Sequence, residues 1–238
     1  TLAAVDKFAA EIARRGVEKI RFCATSATRD AKNRELFIDG VKSRLGVAPE
    51  VISGEEEAAL SFAGATKEMS DSLAPFLVVD IGGGSTEFVI GNRSVESAKS
   101  VNIGCVRMSE RHFKSDPASH DEIEAARKDI QEAIAVAASH VDIKSAKSLI
   151  AVAGTATTVA AASLNLPAYD RYAIHLSRIS AEQTHQTAEM FLKMNRKERA
   201  ALGYMHPGRV DVIGAGSLVL SEILKVVGAS EFIACESD

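Results

Sequence analysis

The sequence predicts an α/β protein made of two domains. Two observations lead to this prediction: strand-like and helix-like segments alternate through residues 1–66, and three strand-like segments follow one another directly after Pro75. The chain has 238 residues, of which 46% are hydrophobic, so it is long enough to build two moderate cores. We therefore predict domain I over residues 1–74 and domain II over residues 75–238.

The predicted domain I begins with an amphipathic helix. Apolar residues recur at helical spacing across residues 2–15, and Gly16 follows as a stop signal. The segments after it predict, in order, a strand, a helix, a strand and a helix, at residues 19–25, 29–45, 48–53 and 54–66. This alternation favours parallel strands.

The predicted domain II begins with a meander. Its three strand-like segments are separated by short turns rich in Gly or Asn, and they span residues 76–81, 86–91 and 94–104. The rest of the domain predicts, in order, two helices, a strand, three helices and a strand: 105–114, 120–140, 148–154, from Thr155, near 180–193, 208–228 and 231–235.

The composition excludes several classes of function. A net charge of −4 argues against a general nucleic-acid binder, whose affinity would come from Lys and Arg neutralising phosphates. No segment is long and apolar enough to predict a membrane span. Cys23, Cys105 and Cys235 match no metal or redox spacing, so we expect buried thiols in a cytoplasmic protein.

The most informative segment is VVDIGGGSTEFVIG, residues 78–91. A P-loop or a dinucleotide fingerprint would lead into a helix, whereas Gly82, Gly83 and Gly84 lie between two predicted strands. Successive amides in such a hairpin form a concave set of N–H donors that can bind phosphate, and Ser85 and Thr86 add hydroxyl groups. The alternative is that the glycines only permit positive φ angles in a turn.

Asp80 ends the apolar strand before the glycines. A lone carboxylate beside a core is costly unless it is paired or bound to a cation. A divalent cation, most simply Mg²⁺, would satisfy both Asp80 and phosphate oxygens bound at the hairpin. The alternative for Asp80 is a structural cap of the turn.

Six segments of the chain resemble one known family in their order and composition. The hairpin resembles the second phosphate loop of the actin, sugar-kinase and Hsp70 superfamily, and the whole chain resembles the exopolyphosphatase and guanosine pentaphosphate phosphohydrolase (Ppx/GppA phosphatase) family. The segments that carry this resemblance are CATSATRDAKN (23–33), VISGEEEAALSFAG (51–64), VVDIGGGSTEFVIG (78–91), SVNIGCVRMSERHF (100–113), AVAGTATTVAA (151–161) and HPGRVDVIGAGSLVLSEIL (206–224).

The resemblance implies a two-domain actin-like (ribonuclease H-like) fold and a hydrolase that releases terminal orthophosphate from inorganic polyphosphate with a divalent cation. Guanosine pentaphosphate is the alternative substrate. A superfamily ATPase or kinase and a non-catalytic phosphate-binding module are the alternatives from other classes. A homodimer is one assembly that the sequence leaves open.

The resemblance also implies roles for particular residues. Glu57 matches the family's catalytic glutamate, which positions or deprotonates the attacking water, and Arg29 matches an arginine that contacts phosphate. We expect Glu57 to project toward the hairpin across a cleft between the domains. Glu87 ends the matched hairpin motif and is a candidate second metal ligand.

Two strand-to-helix junctions supply further candidates for phosphate binding. Thr25 and Ser26 precede a predicted helix, whose first amides favour an anion. Gly154 and Thr155 form a second junction of this kind. The sequence lacks the first hairpin and the closing helix that the resemblance implies, so we expect both ends of the domain pair to lie outside it and the chain alone to have little activity.

Overall fold

A computed structural model describes residues 1–237, which form two compact units. The first is Thr1–Glu57 and the second begins at Ala58. The division falls inside the helix Gly54–Thr66. The domain boundary between residues 74 and 75 remains a prediction.

The first unit contains a two-stranded parallel sheet with helices around it. Its elements are α1 (Leu2–Arg15), β1 (Cys23–Ala24), α2 (Ser26–Asp30), α3 (Arg34–Leu45), β2 (Glu50–Val51) and the start of α4 (Gly54–Thr66). Strands β1 and β2 are parallel, with Cys23 opposite Glu50, as the alternating pattern predicts. Gly16 ends α1 in the left-handed region at φ 63°, which confirms the predicted stop.

The predicted single helix over residues 29–45 is wrong, because the chain forms two helices there. The backbone of Ala31 leaves the helical region at ψ 124°, and α3 begins after Asn33. Asn disfavours helix interiors because its side chain competes for backbone hydrogen bonds. The apolar pattern alone did not show this interruption.

The second unit is built on a six-stranded mixed sheet in the order β5-β4-β3-β6-β8-β7. Its strands are β3 (Phe76–Ile81), β4 (Thr86–Gly91), β5 (Val95–Val101), β6 (Ser148–Val152), β7 (Arg178–Ser180) and β8 (Glu231–Ala234). Its α-helices from residue 105 onward are α5 (Cys105–His112), α6 (His120–Ala138), α7 (Ala153–Ser163), α8 (Arg171–Ile174), α9 (Ala181–Lys193), α10 (Arg196–Ala200) and α11 (Ile213–Val227). The sequence did not predict β7, α8 or α10, since elements this short show no clear periodicity.

Both faces of the central strand β3 are buried. Its odd-numbered residues, such as Val79, belong to the larger core, while Val78 packs in a smaller core with Phe62 of α4. Since side chains alternate along a strand, Asp80 lies on the same face as Val78. The predicted meander is confirmed, because β3, β4 and β5 pair antiparallel in sequence order.

The expected burial of all three thiols is wrong for Cys23. This residue is exposed, whereas Cys105 is half-buried and Cys235 is buried. Within residues 1–237, no helix has both the length and the apolar character needed to cross a membrane.

A buried carboxylate links α11 to α6. The side chain of Glu222 is 1% exposed and forms a hydrogen-bonded ion pair with Arg127. Gln131 and Lys225 also donate to its oxygens, each at 2.8 Å. Burial opposes ionisation, but the donors and the two cations outweigh it, so the pKa of Glu222 lies below its ordinary value.

We therefore predict that Glu222→Gln lowers the free energy of unfolding by about 1–3 kcal/mol at neutral pH. The ionised carboxylate contributes fully above the unfolded-state pKa of about 4.3, and its contribution is lost as the pH falls through the lower folded-state pKa. Urea unfolding from pH 7 to pH 3 measures both effects. Glu124→Gln is the control, since Glu124 pairs with the same Arg127 but is 50% exposed. Equal losses in the two variants would contradict this account.

Candidate active site

The turn between β3 and β4 packs against the first turn of α5. The backbone N–H of Cys105 donates to the Gly82 carbonyl and that of Val106 donates to the Gly83 carbonyl, each at 2.9 Å. The side chain of Arg107 donates from Nε to the Gly84 carbonyl at 2.6 Å. The first N–H groups of a helix have no partner within the helix, so the hairpin carbonyls cap α5.

This capping decides where the hairpin amides point. In a planar trans peptide the C=O and N–H bonds point in opposite directions. Because the carbonyls of residues 82, 83 and 84 point at α5, the N–H groups of Gly83, Gly84 and Ser85 point away from it. Within residues 1–237, none of these three N–H groups donates to another group of the chain. Three such donors in succession are an arrangement that can bind an anion, and the role of the hairpin in phosphate binding remains a prediction.

Gly104 must be glycine because its backbone packs closely against the hairpin. A Cβ on Gly104, the residue before α5, would lie 2.3 Å from the carbonyl carbon of Gly83. A Cβ on Gly83 would meet nothing closer than Val106 Cγ2 at 3.4 Å. Neither Gly82 nor Gly83 adopts the left-handed region. The alternative explanation of the triplet through positive φ is therefore wrong for these two residues.

The two hydroxyl residues after the glycines are buried. Ser85 is 2% exposed, and its carbonyl accepts from the Gly82 N–H at 3.1 Å. Thr86 is fully buried and its hydroxyl donates to the Ile103 carbonyl at 3.1 Å. Thr86 therefore ties β4 to the segment that leads into α5.

The two carboxylates of the motif are direct partners across the hairpin. Asp80 on β3 stands opposite Glu87 on β4, so both side chains lie on one face of the sheet. The Ser61 hydroxyl donates to Asp80 Oδ2 at 2.5 Å, and the Ser100 hydroxyl donates to Glu87 Oε1 at 2.6 Å. The sequence analysis missed both serines, because these contacts join segments distant in the chain.

The donor set at this face fits a hard divalent cation. Carboxylate and hydroxyl oxygens are the ligands that Mg²⁺ prefers, and one or two carboxylates with substrate phosphates are its usual protein environment. Asp80 is 9% exposed and Glu87 is fully buried. Among residues 1–237, no group of three or more His, Cys, Asp or Glu side chains is placed to hold a metal ion. A cation here would therefore take most of its ligands from water and phosphate.

In the first unit, Glu57 and Arg29 lie together. Arg29 Nη1 donates to Glu57 Oε2 at 3.0 Å and to the Ile52 carbonyl at 2.7 Å. The side chain of Glu57 is 16% exposed and that of Arg29 is 25% exposed, so the ion pair is only partly screened by water. Their separation of 28 positions gave no sequence signal for this contact.

The preceding residue, Glu56, has structural contacts. The Glu56 backbone N–H donates to Ser53 Oγ at 3.1 Å, while its carboxylate pairs with Arg21 at 2.8 Å. Glu55 lies in the same first turn of α4. The pairing of Glu57 with Arg29 distinguishes it from both.

The strand-to-helix junction at Thr25 and Ser26 has a short helix behind it. Helix α2 has five residues, and Thr25 makes no side-chain cap bond. Ser26 is buried at 8% exposure. A helix this short provides only a weak dipole, so the role of these two residues in phosphate binding remains a prediction.

The second junction lies under an arginine that the sequence analysis did not select. A Cβ on Gly154 would lie 2.4 Å from Arg209 Nε, so a larger residue here would require this guanidinium to move. Arg209 also donates to Thr158 Oγ1 at 3.0 Å. Thr155 is 4% exposed, and its hydroxyl hydrogen-bonds the Cys105 thiol, whose pKa is raised by burial in spite of this bond.

We predict that Gly104→Ala costs about 1–3 kcal/mol of unfolding free energy, because the new methyl group overlaps the hairpin backbone. Gly83→Ala is the matched control, and its effect should stay within about 0.5 kcal/mol, since its methyl group meets ordinary contacts. Urea denaturation of both variants measures the difference. A stable Gly104→Ala protein would show that the hairpin does not pack tightly on α5.

Comparison with known proteins shows similarity to one family and to named phosphatases. The pattern of the Ppx/GppA phosphatase family matches residues 1–237. Exopolyphosphatase 2 of Mycobacterium tuberculosis is 44% identical over 213 residues, which cover 87% of this chain and 67% of that protein. A guanosine-5'-triphosphate,3'-diphosphate pyrophosphatase of Vibrio atlanticus is 44% identical over 98 residues, covering 41% of this chain and 20% of that protein.

A solved structure extends the similarity to three dimensions. The crystal structure of an exopolyphosphatase-like protein matches with a TM-score of 0.96 and 43% identity, over 98% of this chain and 79% of that one. The architecture is thus the two-domain actin-like α/β fold that the sequence predicts. The chain therefore belongs to the Ppx/GppA phosphatase family and is a hydrolase of phosphoanhydride bonds.

Proposed function

We propose that the hairpin between β3 and β4 binds the terminal phosphates of inorganic polyphosphate and that the reaction at this site releases orthophosphate from the end of the bound polyphosphate. One observation carries this proposal: the N–H groups of Gly83, Gly84 and Ser85 point away from α5 and have no acceptor within residues 1–237. Three oriented N–H groups match the oxygens of a phosphoryl group, and they stabilise the charge that these oxygens carry during transfer.

Glu57 is the group that we assign to the attacking water. It accepts a hydrogen bond from Arg29, which is itself held by the Ile52 carbonyl, so the orientation of the carboxylate is fixed. A fixed carboxylate within reach of a water molecule can accept its proton as the oxygen attacks phosphorus. Arg29 is the residue that we expect to orient Glu57 and to contact phosphate.

Asp80 and Glu87 are the residues that would hold a divalent cation, and Mg²⁺ is the simplest choice. When bound, this cation would neutralise phosphate charge. Ser61 and Ser100 orient the two carboxylates by donating to one oxygen of each.

The reaction that follows is a hydrolysis. A water oxygen forms a bond to the terminal phosphorus as its proton passes to Glu57, and the bond between this phosphorus and the bridging oxygen breaks. The products are orthophosphate and a polyphosphate shorter by one unit. Catalysis then depends on position and electrostatics, as in other phosphoryl transfers.

The choice of substrate rests on two observations. The similarity to an exopolyphosphatase spans 87% of the chain, whereas the similarity to a guanosine nucleotide pyrophosphatase spans 41%. Aromatic residues make up only 5% of the sequence and Trp is absent, so few side chains are suited to stack on a purine base. Polyphosphate is therefore the first candidate, and guanosine pentaphosphate is the second.

We predict that Glu57→Gln reduces orthophosphate release from polyphosphate by about a hundredfold or more, because the amide cannot accept the water proton. Glu55→Gln, on the same helical turn, is the matched control and should stay near the unsubstituted rate. The same assay with guanosine pentaphosphate ranks the two substrates. A Glu57→Gln protein with the normal rate would refute the assignment of the base.

We also predict that Asp80→Asn raises the Mg²⁺ concentration needed for half-maximal activity by about tenfold or more, because a charged ligand is lost. The measurement is a Mg²⁺ titration at saturating polyphosphate after removal of metal with a chelator. Asp71→Asn is the control, since Asp71 is 61% exposed and pairs with Arg93. Unchanged activity of the chelated protein would contradict a cation at this site.

A further inference from the structure

Arg107 contacts the phosphate hairpin through both its backbone and its side chain. Its N–H donates to the Gly83 carbonyl at 3.1 Å and its Nε donates to the Gly84 carbonyl at 2.6 Å. Residue 107 lies in the first turn of α5 and is half-buried. The motif analysis of the sequence did not single it out.

The side-chain contact holds the Gly84 carbonyl, the third of the three glycine carbonyls. Of these three carbonyls, those of Gly82 and Gly83 accept from backbone N–H groups of α5. Within residues 1–237, Arg107 Nε is the only donor to the Gly84 carbonyl. The orientation of the peptide between Gly84 and Ser85 therefore depends on this side chain.

That peptide carries the third N–H of the anion site. Because its C=O is held toward Arg107, its N–H, which belongs to Ser85, is directed to the opposite side. The guanidinium also places a positive charge next to this peptide, and such a charge favours an anion bound at the N–H groups.

We infer that Arg107 is a positioning residue for phosphate: it orients the Ser85 N–H through the Gly84 carbonyl and raises the positive potential at the hairpin. The inference rests on the proposed function, because it needs phosphate to bind there. It adds a specificity for highly charged phosphate chains that the glycine amides alone do not provide. The guanidinium acts through the hairpin and takes no part in bond making.

The test compares three Arg107 variants with one control on the same helix. Arg107→Ala removes the hydrogen bond and the charge, Arg107→Gln keeps a donor without charge, and Arg107→Lys keeps the charge. Arg111→Ala is the matched control, since Arg111 lies one turn further along α5 and pairs with Asp129. Orthophosphate affinity is measured by calorimetry at low and high salt, and KM and kcat are measured with polyphosphate.

We expect Arg107→Ala to weaken orthophosphate binding and to raise the KM for polyphosphate, each by about tenfold. The change in kcat should be smaller than the change in KM. Arg107→Lys should recover part of the affinity and its salt dependence. Arg107→Gln should lose the salt dependence, whereas a purely structural role would leave the salt dependence unchanged in every folded variant.

The outcomes separate this inference from the proposed function. If the unsubstituted protein binds no orthophosphate and hydrolyses no polyphosphate, the proposed function fails. If it does both and the folded Arg107→Ala protein binds orthophosphate within twofold of it, the inference fails. Urea denaturation establishes folding; should Arg107→Ala be unfolded, an unchanged affinity and salt dependence in Arg107→Gln overturns the inference.

Discussion

The candidate site depends on the contact between the β3–β4 hairpin and the start of α5. The helix needs acceptors for its first N–H groups, and the hairpin supplies them from the carbonyls of Gly82 and Gly83. The N–H groups at the start of the helix and the carbonyls of the turn thereby satisfy each other's hydrogen bonds. The donors left over, on the far side of the same peptides, are available to an anion. The proposed anion-binding surface is thus a consequence of how the helix is capped.

The carboxylates on the sheet are likewise held by hydrogen bonds from neighbouring groups. Asp80 and Glu87 are buried at positions where a charge is costly, and each is stabilised by one serine hydroxyl. In the first unit, Glu57 is held in the same way by Arg29. Each acidic group that we propose for chemistry therefore accepts a hydrogen bond from a side chain of its own unit, which helps to fix its orientation.

The sequence predicted what depends on local patterns. The bounds of α1, α4, β3 and β4 follow from apolar periodicity, caps and glycines that act within a few residues, and these agree with the structure. The break between α2 and α3 depends on the backbone conformation of Ala31, and the apolar pattern of the sequence does not show it. The short elements β7, α8 and α10 form because neighbours in space pack on them, which a local pattern does not reveal.

In the candidate site too, features that depend on local patterns were predicted, and contacts between distant residues were not. The hairpin was predicted because its glycines are consecutive, but the capping of α5 by its carbonyls joins residues about twenty positions apart. The spacing of Arg29 and Glu57, or of Ser61 and Asp80, likewise carries no local signature. Thr86 was selected as a hydroxyl donor for phosphate, and its hydroxyl instead donates to the Ile103 carbonyl. Only the folded chain distinguishes hydroxyls that face a ligand from those that bind the backbone.

The facing positions of Asp80 and Glu87 have a consequence for how the turn can vary among related chains. Side chains alternate between the two faces of a strand, so an insertion or deletion of one residue within Gly82–Ser85 that moved β4 by a single step would send Glu87 into the larger hydrophobic core and Phe88 toward Asp80. The length of the loop is therefore constrained by strand register, independently of the proposed anion site. Evolution can exchange residues in this turn far more easily than it can change their number.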